Sequence, residues 1–408
     1  MVKLIDLSPS THQQELGHNK YLFTPRGLTL AGQNALVLLP DFLPIRALAG
    51  LYERELFNRK SFPVCYIPDT HYSMDYTINH DTEILSEIQG RLESLAPADK
   101  RLELHIHARN PDVFSWLGKI DRKTTYTPES DRFLKNATHK GIFHRYIATL
   151  NVPAVIEKYP TIRVPLGYIA ASKTELQRAY ELLHKKGIKS MMAKKIRGSG
   201  GHGITPIYQM GDIDGLSDGL YALQEKLELD RSPFGTANNC GIAFYNKKVF
   251  CTSTQLLNGT EYTGAISPFV ASNALQSDIT AQTQAFLSFA VSNGMKNDGG
   301  IDFLISNDKA WLTDNNLGRK TATHSLMFFR QAHAPERPFA SFTIVNQQRD
   351  ILEVWDLLKT NNLAFDKSSG KGAFPFSYIQ NENGRMVAFH DSQAEAYALS
   401  LRVQALLN

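Results

Sequence analysis

Met191-Met192-Ala193-Lys194-Lys195-Ile196-Arg197-Gly198-Ser199-Gly200-Gly201-His202-Gly203-Ile204-Thr205-Pro206-Ile207-Tyr208 is the stretch on which the fold turns. Its centre satisfies G-x-G-x-x-G. The dinucleotide fingerprint of that form needs a helix immediately after the glycines, so that the helix N-terminus meets a pyrophosphate. The next residues here, Ile204 to Tyr208, are β-branched, aromatic and interrupted by Pro206, and read as a returning strand. Strand, glycine loop, strand describes a hairpin that folds over phosphates and offers them backbone N–H groups. Gly198, Ser199, Gly200, Gly201, His202 and Gly203 are the candidate phosphate residues. Lys194 and Lys195 add charge at the loop base, and only one of them faces a given side because strand side chains alternate. A plain surface hairpin is the alternative.

The surrounding chain alternates strands and helices. Upstream, Ser172 and Glu175 form a capping box, with Leu176, Ala179, Tyr180 and Leu183 as an apolar stripe and Gly187 as the stop. A helix is expected from about Ser130 to Leu150, ending before Pro153. The polar stretch from Arg122 to Asp131 reads as a linker or lid. Farther back, Asn34 to Leu39, Val64 to Ile67 and Leu102 to Ile106 read as buried parallel strands, with a helix from Ile45 to Phe57 between the first two. This rhythm predicts a doubly wound α/β sheet. Downstream, Cys240 to Gln255 reads as a hairpin turning near Asn246-Lys247. Thr283 to Asn293 reads as a helix, Phe374 to Phe389 as a hairpin turning at Asn383-Gly384, and Ser392 to Leu407 as a capped final helix.

A second constellation lies farther along. Asp302 sits in Gly299-Gly300-Ile301-Asp302-Phe303-Leu304, and Asp314 ends Trp311-Leu312-Thr313-Asp314. If the two strands pair around Asn307-Asp308, then Asp302, Asp314 and Asn316 converge as oxygen ligands. Mg²⁺ takes one or two carboxylates, carbonyl oxygens and phosphates in this way. Arg319, Lys320 and His324 follow as candidate phosphate or carboxylate contacts. Turn-forming Asp and Asn residues at strand ends are the alternative.

Composition limits the class. The chain has 408 residues, 42% hydrophobic and 21% charged, enough for two or three packed domains and too apolar for a disordered chain. A net charge of +4 is too small and too dispersed for a nucleic-acid binder. Cys65, Cys240 and Cys251 are too few for a disulfide framework, which points to the cytoplasm. No stretch reads as a membrane span or a signal peptide.

The two constellations, in this order, resemble the ATP-grasp superfamily of carboxylate–amine ligases. That family carries an early nucleotide lysine on a helix thirteen residues before a G-V-P-like turn, and Lys140 stands thirteen before Pro153. Its second lysine ends the strand before the glycine loop, matched by Lys194. Its adenine hinge is similar to Gln224-Glu225-Lys226-Leu227, with Glu228 or Asp230 as the ribose acid. Its metal set is an Asp, then Glu-x-Asn twelve or thirteen residues on, and Asp314 follows Asp302 by twelve. The resemblance narrows to pheganomycin-type peptide ligases with a pre-ATP-grasp domain. Leu51-Tyr52-Glu53-Arg54-Glu55-Leu56 looks like their first helix, and Thr321-Ala322-Thr323-His324 looks like their T-T-H signature. Asp314 departs from the family's Glu, and Gly318 from its Arg, with Arg319 adjacent.

The resemblance implies a Rossmann-like pre-ATP-grasp α/β domain (1–130), a first ATP-grasp lobe (131–225), and an α+β second lobe with a C-terminal extension (226–408). It implies an acylphosphate mechanism using ATP and Mg²⁺, with Mn²⁺ as a substitute, on amino acid or peptide substrates. Lys140 and Lys194 would hold phosphates, Asp302, Asp314 and Asn316 the metal, Arg319 the transferring group, and His324 substrate or phosphate. No protein nucleophile, nucleic acid or membrane partner is expected, and a homodimer is the base-rate assembly. A non-catalytic ATP-binding protein and an ATP-grasp phosphotransferase are the rival readings.

Overall fold

The computed structural model describes residues 2–6, 26, 28–29, 35–57, 64–69, 74–95, 101–106, 115–120, 123–124, 148–149, 159–195, 203–245, 247–292, 299–316, 322–345, 348–378 and 384–408. The chain forms two compact units, Met1–Pro128 with Arg319–Asn408, and Glu129–Gly318. The segment 226–408, read from sequence as one lobe with its extension, is therefore divided between them.

The first unit begins with five parallel strands: β1 (Val2–Asp6), β2 (Ala35–Asp41), β3 (Val64–Pro68), β4 (Arg101–Ile106) and β5 (Lys123–Thr124). Their order is β3-β2-β1-β4-β5, so the winding reverses at β1. The central strand β1 has no counterpart in the sequence reading. Its five residues pair in parallel with β2 on one side and β4 on the other. The helix Leu43–Tyr52 carries Pro44 in its first turn, where its missing N–H leaves no bond unmade, and continues as a π-helical turn, Glu53–Phe57. Ile84, Ile88 and Leu92 of the helix Thr82–Leu95 lie one turn apart and join Leu36, Leu38, Cys65 and Ile67 in one core.

The second unit holds two sheets. One has the order β6-β7-β10-β8-β9, from β6 (Ala148–Thr149), β7 (Gly167–Ala170), β8 (Met191–Lys195), β9 (Ile204–Ile207) and β10 (Tyr221–Glu225). At Ala148 and Thr149, β6 replaces the end of the helix expected from about Ser130 to Leu150. Ala148 and Thr149 pair in parallel with Tyr168 and Ile169, and β-branched Thr149 suits a strand. The residues before them lie outside the described ones. The helix Lys173–Lys185 is capped by Ser172, whose Oγ accepts from the Glu175 N–H, and buries Leu176, Ala179 and Leu183. Those side chains pack on Ala170, Met191, Ala193, Ile207, Tyr221 and Leu223, one face of the sheet.

The other sheet contains β11 (Asn239–Tyr245), β12 (Lys248–Asn258), β13 (Glu261–Ser267), β14 (Gly299–Ser306) and β15 (Lys309–Asn315), in the order β15-β14-β11-β12-β13. The helix Asn273–Ser292 covers it, starting ten residues before the expected Thr283. Ser272, whose Oγ accepts from the Leu275 N–H, supplies the earlier cap. Arg163 ties the chain between the sheets to the second one. It donates to Asp278 (2.9 Å) and to the Ala310 carbonyl (2.9 Å).

Back in the first unit, β16 (Phe339–Ile344), β18 (Gly384–Phe389) and β17 (Gly372–Ser377) are antiparallel neighbours in that order. The helices Ala322–His333, Ile351–Thr360 and Gln393–Leu407 accompany them. Tyr52 joins the unit's two parts: its hydroxyl donates to the Phe376 carbonyl (3.1 Å) and its ring meets Phe374 edge-on at 5.0 Å. No helix among the described residues is long and apolar enough to cross a membrane.

Candidate active site

The glycine hairpin closes at its base. The Lys195 N–H donates to the Gly203 carbonyl (2.8 Å), and Gly203 has φ +79°. A Cβ there would stand 2.9 Å from the Lys195 Cβ, so both conformation and space require glycine. Gly198, Ser199, Gly200, Gly201 and His202 lie outside the described residues, as do Lys140 and Arg319. The two lysines diverge as strand alternation requires. Lys195 Nζ donates to Ser217 Oγ (3.3 Å), while Lys194 is buried and its Nζ donates to the Thr313 carbonyl on β15 (3.2 Å). The lysine thus bridges from one sheet to the strand that carries Asp314.

Gln224 lies on the same face of β10. The register sets Ala222 opposite Lys194 and Gln224 opposite Met192, so the two polar side chains stand two residues apart along the strands, about 7 Å. Gln224 is 1% exposed, and among the described residues neither its Nε2 nor its Oε1 has a hydrogen-bond partner. A buried amide left unpaired costs roughly 1–3 kcal/mol. Its vacant donor and acceptor suit a flat heterocycle offering the complementary pair.

The hinge residues beyond it are fixed by the backbone. Glu225 pairs with Leu166, donating its N–H to the Leu166 carbonyl (2.8 Å) and accepting the Leu166 N–H at Oε1 (2.8 Å). Lys226 Nζ donates to the Tyr208 hydroxyl (2.8 Å) and lies over that ring. Leu227 is half-buried and Glu228 exposed. Asp230 is committed elsewhere: its two carboxylate oxygens accept the N–H groups of Asn307 (3.0 Å) and Asp308 (2.9 Å).

That turn makes the β14–β15 hairpin. Asn307 and Asp308 have φ of 52° and 54°, the left-handed pair of a type I′ hairpin turn. Continued from the turn, that register would set Thr313 opposite Asp302; a one-residue register shift between Phe303 and Asp302 brings Asp314 opposite Asp302 instead. Residues opposite one another across antiparallel strands share a face, with Cβ atoms about 5 Å apart. Asp302 Oδ1 accepts from Gln255 Nε2 (2.7 Å), and Asn316 Nδ2 approaches Asp302 Oδ2 (3.5 Å). Asp314 Oδ1 accepts the Asn315 N–H (2.8 Å). Two carboxylates and an amide, half-buried on one face, are hard oxygen donors that fit Mg²⁺ or Mn²⁺.

His324 is fully buried, 0% exposed, on the helix Ala322–His333 of the first unit. The three cysteines are free and buried. Burial pushes the Cys65 thiol up to about 12 and raises Cys240 well above its ordinary value, with Asp302 adding to the rise. Neither supplies a thiolate at neutral pH. The sequence reading missed Gln255. Its only local signal was a polar residue alternating with Ser253 on an inner strand.

Neither a protein-family profile nor a curated protein matches the sequence. Solved structures do match in fold. An ADP complex of N5-carboxyaminoimidazole ribonucleotide synthetase aligns with 98% of this chain and 96% of its own, at TM-score 0.59 and 11% identity. The same enzyme from Thermus thermophilus aligns over 100% and 99%, at TM-score 0.55 and 13% identity. Biotin carboxylase from Campylobacter jejuni, in a beta-gamma-ATP complex, aligns over 100% and 91%, at TM-score 0.55 and 11% identity. These are ATP-grasp enzymes, and the chain has their α/β fold.

Proposed function

We propose that the protein is an ATP-dependent carboxylate–amine ligase that makes an amide or peptide bond through an acylphosphate. One observation carries the reading. Lys194, from the sheet with the glycine hairpin, ends on the carbonyl of Thr313, the residue before Asp314, and Asp314 faces Asp302. A cation and two carboxylates on facing sheets are what a Mg²⁺-bound polyphosphate needs.

A carboxylate does not react with an amine at neutral pH until its oxygen becomes a leaving group. The substrate carboxylate attacks the γ-phosphorus of ATP, the bond to the β,γ-bridging oxygen breaks, and ADP leaves. The amine then adds to the acylphosphate carbonyl, loses a proton, and expels phosphate. Gln224 is assigned to the adenine edge, and Glu228 rather than the engaged Asp230 to the ribose. Lys140, Lys194 and the loop from Gly198 to Gly203 are assigned to the phosphates. Asp302, Asp314 and Asn316 hold the metal, which neutralises phosphate charge when bound. Arg319 offsets charge on the transferring group. The loop would exclude water, which otherwise hydrolyses the acylphosphate. Amino acids or short peptides are the proposed substrates.

The test is ADP release from Mg²⁺-ATP with pooled amino acids and peptides, with masses read on the same samples beside Lys194→Ala. Loss of one charge-assisted phosphate contact, about 1.5–3 kcal/mol, should weaken the variant's ATP binding roughly 10- to 150-fold. ADP that requires two components and accompanies a mass equal to their sum minus water supports the ligase. ADP without an amine and without a condensed mass supports a phosphotransferase. ATP binding with no ADP from any pool supports a non-catalytic nucleotide-binding protein.

A further inference from the structure

We propose that Gln255 is a positioning residue for Asp302, reaching it across an intervening strand through a window left by Gly241. This rests on the assignment of Asp302 to the metal. Gln255 is on β12 and Asp302 on β14, with β11 between them. Two strand spacings are about 9.6 Å, a span that side chains normally cannot bridge over an occupied middle strand. The residue at the crossing point is Gly241, paired with Asp302 on one side and Ser253 on the other. A Cβ on Gly241 would stand 3.1 Å from Gln255 Nε2 and 3.3 Å from Asp302 Oδ1, against the hydrogen bond itself.

The donor is held from behind. The Gln255 N–H donates to Asn239 Oδ1 (2.7 Å), and Asn239 Nδ2 donates to the Gln255 carbonyl (2.9 Å). Asn239 is buried and also donates to the Ala237 carbonyl (2.9 Å). Gln255 is therefore fixed at its main chain and extended over glycine to a 2.7 Å bond, at the short end for N–H···O and directed at a charged acceptor. A neutral amide fixes the carboxylate plane without cancelling its charge. Gln255 holds Oδ1, and Oδ2 lies on the side of Asn316, the other proposed ligand. Outer partners of this kind typically set metal affinity by 10- to 100-fold.

The experiment is Mn²⁺ binding to the full chain, read from the free-ion paramagnetic resonance signal, for wild type, Asp302→Asn, Gln255→Met and Gly241→Ala. Thermal midpoints without metal are taken alongside. The expected result is loss of the site in Asp302→Asn and about tenfold weaker binding in Gln255→Met. Gly241→Ala, which keeps Gln255 but crowds its bond, should weaken binding several-fold and carries the test if Gln255→Met does not fold. Weaker Mn²⁺ binding with an unchanged midpoint separates positioning from a merely structural role. If Asp302→Asn loses Mn²⁺ while both other variants bind as wild type, the positioning role is overturned and the metal site stands. If Asp302→Asn binds Mn²⁺ as wild type, the metal assignment falls and the inference with it.

Discussion

Two acidic clusters in this protein spend their charge in opposite ways. In the first unit, His390, Asp391 and Glu395 bring their ligand atoms within 4.8 Å of one another, the outline of a metal site. Yet Asp391 is bridged by Arg337 and Lys371, and His390 Nδ1 meets Glu395 Oε2 at 3.0 Å. The Lys371 ammonium holds the Asp391 carboxyl below its ordinary range. In the second unit, Asp302 accepts from Gln255 Nε2 at 2.7 Å and Asp314 from the Asn315 N–H at 2.8 Å, both neutral donors. A carboxylate neutralised by cations belongs to the fold. A neutral amide orients a carboxylate without cancelling its charge. The cationic partners of Asp391 are why the proposed metal is assigned to Asp302 and Asp314 and not to this tighter cluster.

If ionisable groups of the first unit serve folding, acid should act there on stability. His333 stands edge-on to Phe57 at 5.3 Å, and burial holds its pKa down at about 4. The unfolded chain protonates this imidazole near pH 6.5, and the folded chain only near 4. The unfolded state therefore binds the extra proton between those values, and stability falls as pH drops from 6.5 to 4. The expected loss is on the order of 2–3 kcal/mol. Denaturant melts across that window should show the slope, and His333→Phe should flatten it. An unchanged slope in the variant would mean that His333 is not the group responsible.

The polar groups of the second unit should behave in the reverse sense, costing stability that a ligand restores. Gln224→Leu removes an unpaired buried amide. It should stabilise the ligand-free protein by about 1–2 kcal/mol while weakening ATP binding by a similar free energy. Calorimetry with and without ATP reads both. A variant that is less stable and binds ATP normally would place Gln224 with the structural groups.

How much of this was legible in sequence depended on the range of the interaction. Capping by Ser172 and Ser392, the Asn307-Asp308 turn and the glycine hairpin are written in adjacent residues, and the helices and strands formed where those signals stood. The turn accounts for the pairing from Ser306/Lys309 to Phe303/Leu312, but the register shift that brings Asp314 opposite Asp302 was not legible in it. β1 was not legible, because Val2–Asp6 becomes the centre of a sheet only through partners distant in sequence. The start of the helix Asn273–Ser292 was missed because Ser272 caps it without an acidic residue three positions later. Gln255 was invisible for a stronger reason. Its meaning depends on a glycine in a different strand and a carboxylate forty-seven positions away.

The most direct test of the account sets the two clusters against each other in one measurement: Mn²⁺ titration, with and without ATP, of Asp302→Asn and Asp391→Asn. The account predicts that Asp302→Asn loses the Mn²⁺ site and ATP no longer strengthens what metal binding is left, while Asp391→Asn binds both as wild type. Loss of Mn²⁺ in Asp391→Asn with retention in Asp302→Asn would contradict it and move the metal to the other cluster.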